Sequence, residues 1–213
     1  MHPAAKRLWL LVLVALRACW RWVKAIFSPL RTPAVITPQQ FKQRWESIPT
    51  DRLVVFPESS LSDVRVPSDV RNFLVQAGLP DSAAPFLDFG PPETGTLERA
   101  SVVWHESSAF DRYRIIGGNG SGDPVCLDEV AAGQVVYLNH DNDFERVLMA
   151  SSVFTLAECL LEFRAVVAET LGATEQVSRE RYDALLRRIQ AIDPASSGEG
   201  DFWEQEIGCC TSV

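Results

Sequence analysis

Five short runs rich in β-branched and aromatic residues, most of them divided by turn-forming residues, constrain the fold of this chain more than any other feature. The separators that matter most are 117–123 (GGNGSGD), 131–133 (AAG) and 139–143 (NHDND). Connections this short cannot hold a crossover helix, so the strands they join must run antiparallel. The sequence therefore predicts an antiparallel meander with strands at Ser101–Trp104, Tyr113–Ile116, Pro124–Leu127, Val135–Leu138 and Arg146–Ala150.

Helical periodicity flanks this strand region on both sides, with apolar residues at three- and four-residue spacing. Caps and stop signals place helices over 38–48, from Ser68 to Gly78, over Thr155–Thr170 and over Arg179–Ile192. Leu53–Phe56 is predicted as a further short strand, and the Pro- and Gly-rich residues 79–97 as a long surface connection. The predicted fold class is α+β, a mostly antiparallel meander sheet flanked by N-terminal and C-terminal helices.

Charge is distributed unevenly along the 213 residues. Residues 1–31 hold six basic residues and no acidic one, whereas residues 32–213 hold 14 basic and 28 acidic residues, a net charge of −14. A domain this acidic is not a general nucleic-acid binder, because that function needs a cationic surface. We predict a basic amphipathic extension with a proline-containing linker over 1–37, a folded domain over 38–207 and a C-terminal tail over 208–213.

The N-terminal segment contains an apolar run of nine residues, 8–16, and a membrane span would need roughly 20. On a helix, its basic residues fall on one side and most of its apolar residues on the other. This pattern is typical of a helix that lies on a membrane surface, with contacts predicted at Trp9, Arg17, Trp20, Arg21, Trp22 and Lys24. A functionless extension and an export signal are the open alternatives.

Motifs that would support catalysis or cofactor binding are missing from the sequence. The glycine-rich residues 117–122 lack the Gly-Lys-Ser/Thr of a phosphate-binding loop, and residues 139–145 lack the Gly and Glu positions of an EF-hand. The chain has three histidines and five cysteines, but no nucleophile elbow and no CxxC pair. We therefore predict no enzyme activity, no cofactor and no metal site, and scattered free thiols favour a reducing, cytoplasmic location.

Four stretches of the sequence together indicate a family. They are 73–80 (FLVQAGLP), 113–128 (YRIIGGNGSGDPVCLD), 133–141 (GQVVYLNHD) and 150–160 (ASSVFTLAECL). This arrangement resembles the SUKH superfamily over about residues 53–169, and the first stretch is most similar to its SUKH-4 branch. The resemblance implies a bacterial immunity protein, one that binds and neutralises a polymorphic toxin delivered by a neighbouring cell, commonly a toxin directed at nucleic acids.

A toxin of that class tends to be basic, so acidic positions on the turns of the sheet region are the predicted toxin contacts. They are Asp123, Asp128, Glu129, Asp141, Asp143 and Glu145. The alternative is that these carboxylates only form a solvated rim. Two other functions stay open: a membrane-peripheral regulatory scaffold or docking protein, anchored at the inner face of the membrane by the basic N-terminal helix, and an enzyme whose acidic site the sequence pattern does not reveal.

Overall fold

The computed structural model describes residues 35–47, 51–91, 95–104, 107–198 and 200–211. The predicted membrane-surface segment, with its six predicted contacts, lies outside these residues. The helices within the described residues are α1 (Pro38–Trp45), α2 (Ser68–Gln76), α3 (Ala100–Val103), α4 (Val153–Thr170), α5 (Glu175–Ile192) and α6 (Phe202–Thr211). None of them combines the length and the apolar character that a membrane span requires.

The strands form one large and one small antiparallel sheet. They are β1 (Leu53–Val54), β2 (Leu79–Pro80), β3 (Ser82–Ala83), β4 (Leu87–Phe89), β5 (Tyr113–Asn119), β6 (Pro124–Asp128), β7 (Gln134–Asn139) and β8 (Glu145–Ala150). Strands β3 to β8 lie side by side in chain order, and β1 pairs with β2. The α+β fold with an antiparallel meander is confirmed.

The large sheet packs apolar residues on both faces. Successive side chains of a strand point to opposite faces, so neighbouring residues contact different parts of the core. On β6, Val125 and Leu127 join the main core with the helices, whereas Cys126 belongs to a smaller cluster on the opposite face. Every residue of β6 is buried. We call the face that packs against the helices the inner face, and the face with the smaller cluster the outer face.

Three of the helices begin at residues that hydroxyl side chains cap. The Ser152 hydroxyl accepts a hydrogen bond from the Thr155 backbone N–H, and the Ser152 backbone N–H donates to the Thr155 hydroxyl oxygen, so α4 starts with a capping box. Thr37 caps α1 with a capping box, and the Thr174 side-chain oxygen caps α5 by accepting from the Val177 backbone N–H. On α6, the Trp203 indole N–H donates to the Met149 carbonyl of β8 at 2.8 Å, which fastens this helix to the edge of the sheet.

Two assignments of the sequence analysis are wrong. Residues 79–97 are not a surface connection: they contain β2, β3 and β4, and Leu79, Leu87 and Phe89 are buried. Strands of two or three residues leave no periodicity to detect, and pairing with β1 and β5 stabilises them. Residues Ser101–Trp104 form most of helix α3 rather than a strand, because they lie in the β4–β5 connection, where the Ser101 hydroxyl donates to Asp111 at 2.5 Å.

Candidate functional site

Three hairpin turns lie at the same end of the large sheet. In a meander, alternate connections return to the same end, and here they are 84–86 between β3 and β4, 120–123 between β5 and β6, and 140–144 between β7 and β8. The first two turns touch, since a Cβ on Gly120 would lie 2.9 Å from the Phe86 Cβ. We call this surface the turn end and define it by Phe86, Ser121, Asp141, Asp143, Glu145 and Glu206.

The buried carboxylate of Asp123 joins two of these turns. Its Oδ1 accepts a hydrogen bond from the His140 backbone N–H at 2.9 Å and lies 2.6 Å from His140 Nδ1, while its Oδ2 accepts from Asn119 Nδ2 at 2.9 Å. Burial works to raise the pKa of Asp123, but these hydrogen bonds outweigh it and hold the pKa below its usual value. The hydrogen bond to Asp123 raises the pKa of His140, and the neighbouring Asp141 adds to that effect. A charged Asp123 thus anchors the β7–β8 turn.

The β7–β8 turn holds its acidic side chains outward through an unusual backbone. Asp143 and Phe144 have φ angles of 48° and 55°, in the left-handed region that few non-glycine residues adopt. The Phe144 ring is held in the outer-face cluster, with ring centroids 6.2 Å from Trp104 and 6.0 Å from Phe110. The Asn139 side chain also accepts from the Asp141 backbone N–H at 3.0 Å. Packing and hydrogen bonds therefore fix the turn.

The turn end carries negative charge that no lysine or arginine of the described residues neutralises. Asp141 exposes 84% of its side chain, Asp143 and Glu145 are also exposed, and Asp141 lies 3.4 Å from His140 Nε2. In the part of the chain that the structure describes, no lysine or arginine forms an ion pair with Asp141, Asp143, Glu145 or Glu206. The described arginines that form ion pairs do so with other carboxylates.

The structure places Asp128 at the opposite end of β6, fully buried on the outer face. The Arg112 Nε and Nη2 donate to its two oxygens at 2.7 Å each, and the Arg146 Nε donates at 3.3 Å. Its Oδ1 also accepts from the Val130 backbone N–H at 3.1 Å. Asp128 is therefore the centre of an ion-pair cluster that closes the β6–β7 turn.

Glu129 is buried next to it, with 1% of its side chain exposed. The Arg114 Nε donates to its Oε1 at 3.0 Å, and the Arg65 backbone N–H donates to the same oxygen at 2.8 Å. The six predicted contacts thus divide into two groups. Asp123, Asp128 and Glu129 have partners within the fold, and Asp141, Asp143 and Glu145 present their carboxylates to solvent.

Three residues of the turn end, Phe86, Ser121 and Glu206, were not among the predicted contacts. Phe86 exposes 80% of its surface and has a φ angle of 59°. Glu206 of α6 is half-buried, and burial raises the pKa of its carboxyl. A cleft of about 330 Å³ between them is also lined by Asn119, Gly120 and Ser121. The sequence offered little signal, because Phe86 follows a proline in a presumed connection and Glu206 lies in a segment without an assigned helix.

Among the described residues, no three His, Cys, Asp or Glu side chains converge in a way that could hold a metal ion.

A search of curated proteins and a search of solved structures find no match. A family model described as SUKH-4 immunity protein matches residues 39–208, which is most of the chain and includes the whole meander sheet. The chain therefore belongs to the SUKH-4 immunity protein family, and its function is one of immunity.

Proposed function

We propose that this protein binds and neutralises a cognate bacterial polymorphic toxin that acts on nucleic acids, and that the turn end is the toxin-binding surface. Family membership supports the immunity function. The observation that supports the surface is a set of exposed carboxylates at one rigid turn, Asp141, Asp143 and Glu145, which have no lysine or arginine partner among the described residues. In this role the protein is a stoichiometric inhibitor and not an enzyme.

Charge complementarity favours this partner. An enzyme that acts on nucleic acid carries basic residues where it meets the phosphates, and residues 32–213 of this chain have a net charge of −14. Opposite fields steer two proteins together and raise association rates by roughly 10- to 1,000-fold at low salt. A fast encounter suits immunity, because the toxin must be captured before it damages the cell.

The rigidity of the β7–β8 turn also favours tight binding. Asp123 holds the turn from beneath through His140, and Phe144 anchors it in the outer-face cluster. A surface whose side chains are already ordered loses less conformational entropy when a partner binds. The same arrangement gives Asp123 a supporting role in binding, through the turn and not through direct contact.

Growth rescue tests the function. The toxin domain encoded beside the gene is expressed from an inducible promoter, with and without the full chain, and the complex is purified from surviving cells. We expect rescue together with a stoichiometric complex. Equal cell death in both cultures, with no complex from the purified proteins, would contradict the proposal.

Charge removal on the turn tests the surface. The triple variant Asp141→Asn, Asp143→Asn, Glu145→Gln keeps the side-chain shapes, and asparagine tolerates the left-handed backbone at position 143. We expect the association rate constant at low salt to fall about tenfold and its salt dependence to flatten, because three charges no longer attract the partner.

A matched control separates local from global charge. The variant Glu46→Gln, Glu180→Gln, Asp183→Asn also removes three exposed carboxylates, none of which belongs to a hairpin turn of the large sheet. It should change the association rate by no more than about twofold, since exposed charges outside the interface are screened. Equal effects of the two triple variants would remove the turn end from the interface.

Membrane contact through residues 1–31 and the cytoplasmic location stay predictions. Liposome co-sedimentation tests the first: the full chain should bind anionic vesicles, and a chain that starts at Thr32 should not. Equal behaviour of the two chains would rule out the membrane-anchored scaffold.

A further inference from the structure

Glu206 is the unusual carboxylate of the turn end. It projects from α6 into the cleft that Phe86, Asn119 and Ser121 also line, and it is half-buried. Among the described residues, no donor or cation bonds to it, whereas the other buried or half-buried carboxylates of the sheet, such as Asp123 and Asp128, have several partners. A half-buried carboxylate without a partner is costly, so its position calls for an explanation.

Phe86 is the unusual apolar residue of the same cleft. An aromatic ring that is 80% exposed gains little from the fold, and its left-handed backbone adds strain. Gly120 permits the close approach, since any Cβ at that position would meet the Phe86 side chain at 2.9 Å. The β5–β6 turn thus supports the ring from one side and leaves most of it open to solvent.

The cleft therefore combines a carboxylate, an aromatic ring and the hydroxyl of Ser121, while the Asn119 amide is already bonded to Asp123 and to the Ser121 backbone N–H. The first three groups suit a guanidinium: the carboxylate pairs with it, the ring face attracts its charge, and the hydroxyl oxygen accepts a further hydrogen bond from it. We propose that the cleft between Phe86 and Glu206 receives an arginine side chain of the toxin. This inference rests on the proposed function, because the toxin supplies the arginine.

The charge of Glu206 fits such a ligand. Burial raises the pKa of its carboxyl, and a guanidinium seated beside it would lower that pKa again by favouring the ionised form. The free protein holds the carboxylate in a partly desolvated position, where pairing with a cation is stronger than in open water. Arginine binding at this cleft is therefore a specificity contact, additional to the long-range attraction of Asp141, Asp143 and Glu145.

A titration without toxin tests the cleft directly. The full-length, nitrogen-15-labelled chain is titrated with N-acetylarginine methylamide and, separately, with its citrulline analogue, which has nearly the same shape and no charge. We expect the arginine compound to shift the backbone amides of Gly120 and Ser121 and to bind at least about fivefold more tightly than the citrulline compound.

Two variants complete this titration. Glu206→Gln should abolish the preference for arginine, while Glu204→Gln, on the same helix, should retain it, since glutamine can keep the bond that Glu204 accepts from the Gly200 N–H. Equal binding of the two compounds by the wild-type chain, or an unchanged preference in Glu206→Gln, would overturn the proposal.

The toxin complex provides the second test. Glu206→Gln, and Phe86→Leu, which keeps the apolar bulk and removes the ring face, should each raise the Kd about tenfold, with Glu204→Gln within about twofold of wild type. If the wild-type complex forms and both variants bind as tightly, the arginine cleft is refuted and the immunity function stands. If the wild-type chain forms no complex, the proposed function fails, and the arginine titration alone decides the cleft.

Discussion

Replacement of Asp128 should destabilise the fold and leave toxin recognition unchanged. The carboxylate is fully buried and receives two hydrogen bonds from Arg112 at 2.7 Å and one from Arg146 at 3.3 Å. It also accepts the backbone N–H groups of Val130 and Ala131 at 3.1 and 3.3 Å. The Asp128 carboxylate is therefore the hydrogen-bond acceptor both for two arginines and for backbone N–H groups at the start of the β6–β7 turn.

The magnitude follows from these contacts. Loss of one partner of a buried ion pair costs roughly 3–5 kcal/mol. The arginine side chains are 34% and 33% exposed, so they regain part of their hydration and the ion-pair cost is smaller than that. Loss of the acceptor for the Val130 N–H adds about 1 kcal/mol, whereas the Ala131 N–H keeps its bond to the Asp128 main-chain carbonyl at 3.2 Å. We expect Asp128→Ala to lower the free energy of unfolding by about 3 kcal/mol, and Asp128→Asn by about 1.5 kcal/mol because its oxygen still accepts the N–H groups.

Urea denaturation followed by tryptophan fluorescence measures both values, and the m-value should stay constant. Asp141→Asn is the control, since its side chain is 84% exposed and the change should stay within about 0.5 kcal/mol. Toxin binding provides the converse test: folded Asp128→Asn should associate at the wild-type rate. A stable Asp128→Ala protein that no longer binds toxin would show that Asp128 serves the interface and would refute this reasoning.

Three further predictions concern other parts of the fold. Gly78→Ala should lower the free energy of unfolding by more than about 2 kcal/mol, as measured by urea denaturation. The alanine Cβ would lie 2.0 Å from a backbone oxygen of β1, and the φ angle of residue 78 is 72°. An unchanged free energy of unfolding would contradict this close contact with β1. The hydrogen bond to Asp123 raises the pKa of His140 in the folded state, so the stability it adds is complete below the unfolded pKa of about 6.5 and is lost as pH rises through the folded pKa. The Tm of the wild-type chain should therefore fall more than the Tm of His140→Gln when the pH rises from about 5.5 to about 8.5. Parallel curves of Tm against pH would contradict a stabilising contribution from the His140–Asp123 hydrogen bond. Burial raises the pKa of the Cys126 thiol. Iodoacetamide should therefore alkylate the exposed Cys209 first and Cys126 only after unfolding, as measured by peptide mass mapping. Early alkylation of Cys126 would show that reagent reaches the outer face of the sheet in the folded protein.

The strands and helices that could be predicted from the sequence are those whose signals are local. Strands β5 to β8 follow from β-prone runs divided by Gly, Asn and Asp, and α4 follows from an apolar face repeated at three- and four-residue spacing. Strands β2 to β4 are two or three residues long and are stabilised by pairing with adjacent strands. A local stretch of sequence therefore has no pattern that would predict them. Helix α6 was missed because its short apolar set, Phe202, Trp203 and Ile207, has little periodicity of its own.

The candidate site was predicted only in part, for a different reason. The sequence identifies acidic residues near turns, but it does not distinguish a carboxylate that holds the fold from one that faces solvent. Asp128 and Asp143 both follow a predicted strand by a few residues, yet two arginines enclose the first and no described arginine pairs with the second. The difference lies in the side chains of Arg112 and Arg146, which meet Asp128 only in the folded sheet.

The gathering of three hairpin turns at one end of the sheet has a consequence for how such a protein can change. Apart from Phe144, the turn residues contribute little to the core, so their side chains can be replaced with little loss of stability as long as Asp123 still joins the β5–β6 and β7–β8 turns. The proposed toxin-binding surface can therefore diverge rapidly while the meander beneath it stays the same. With the turn end as the interface, as proposed, substitutions in three short loops would let the chain follow a changing toxin, and exchange of those loops would redirect it.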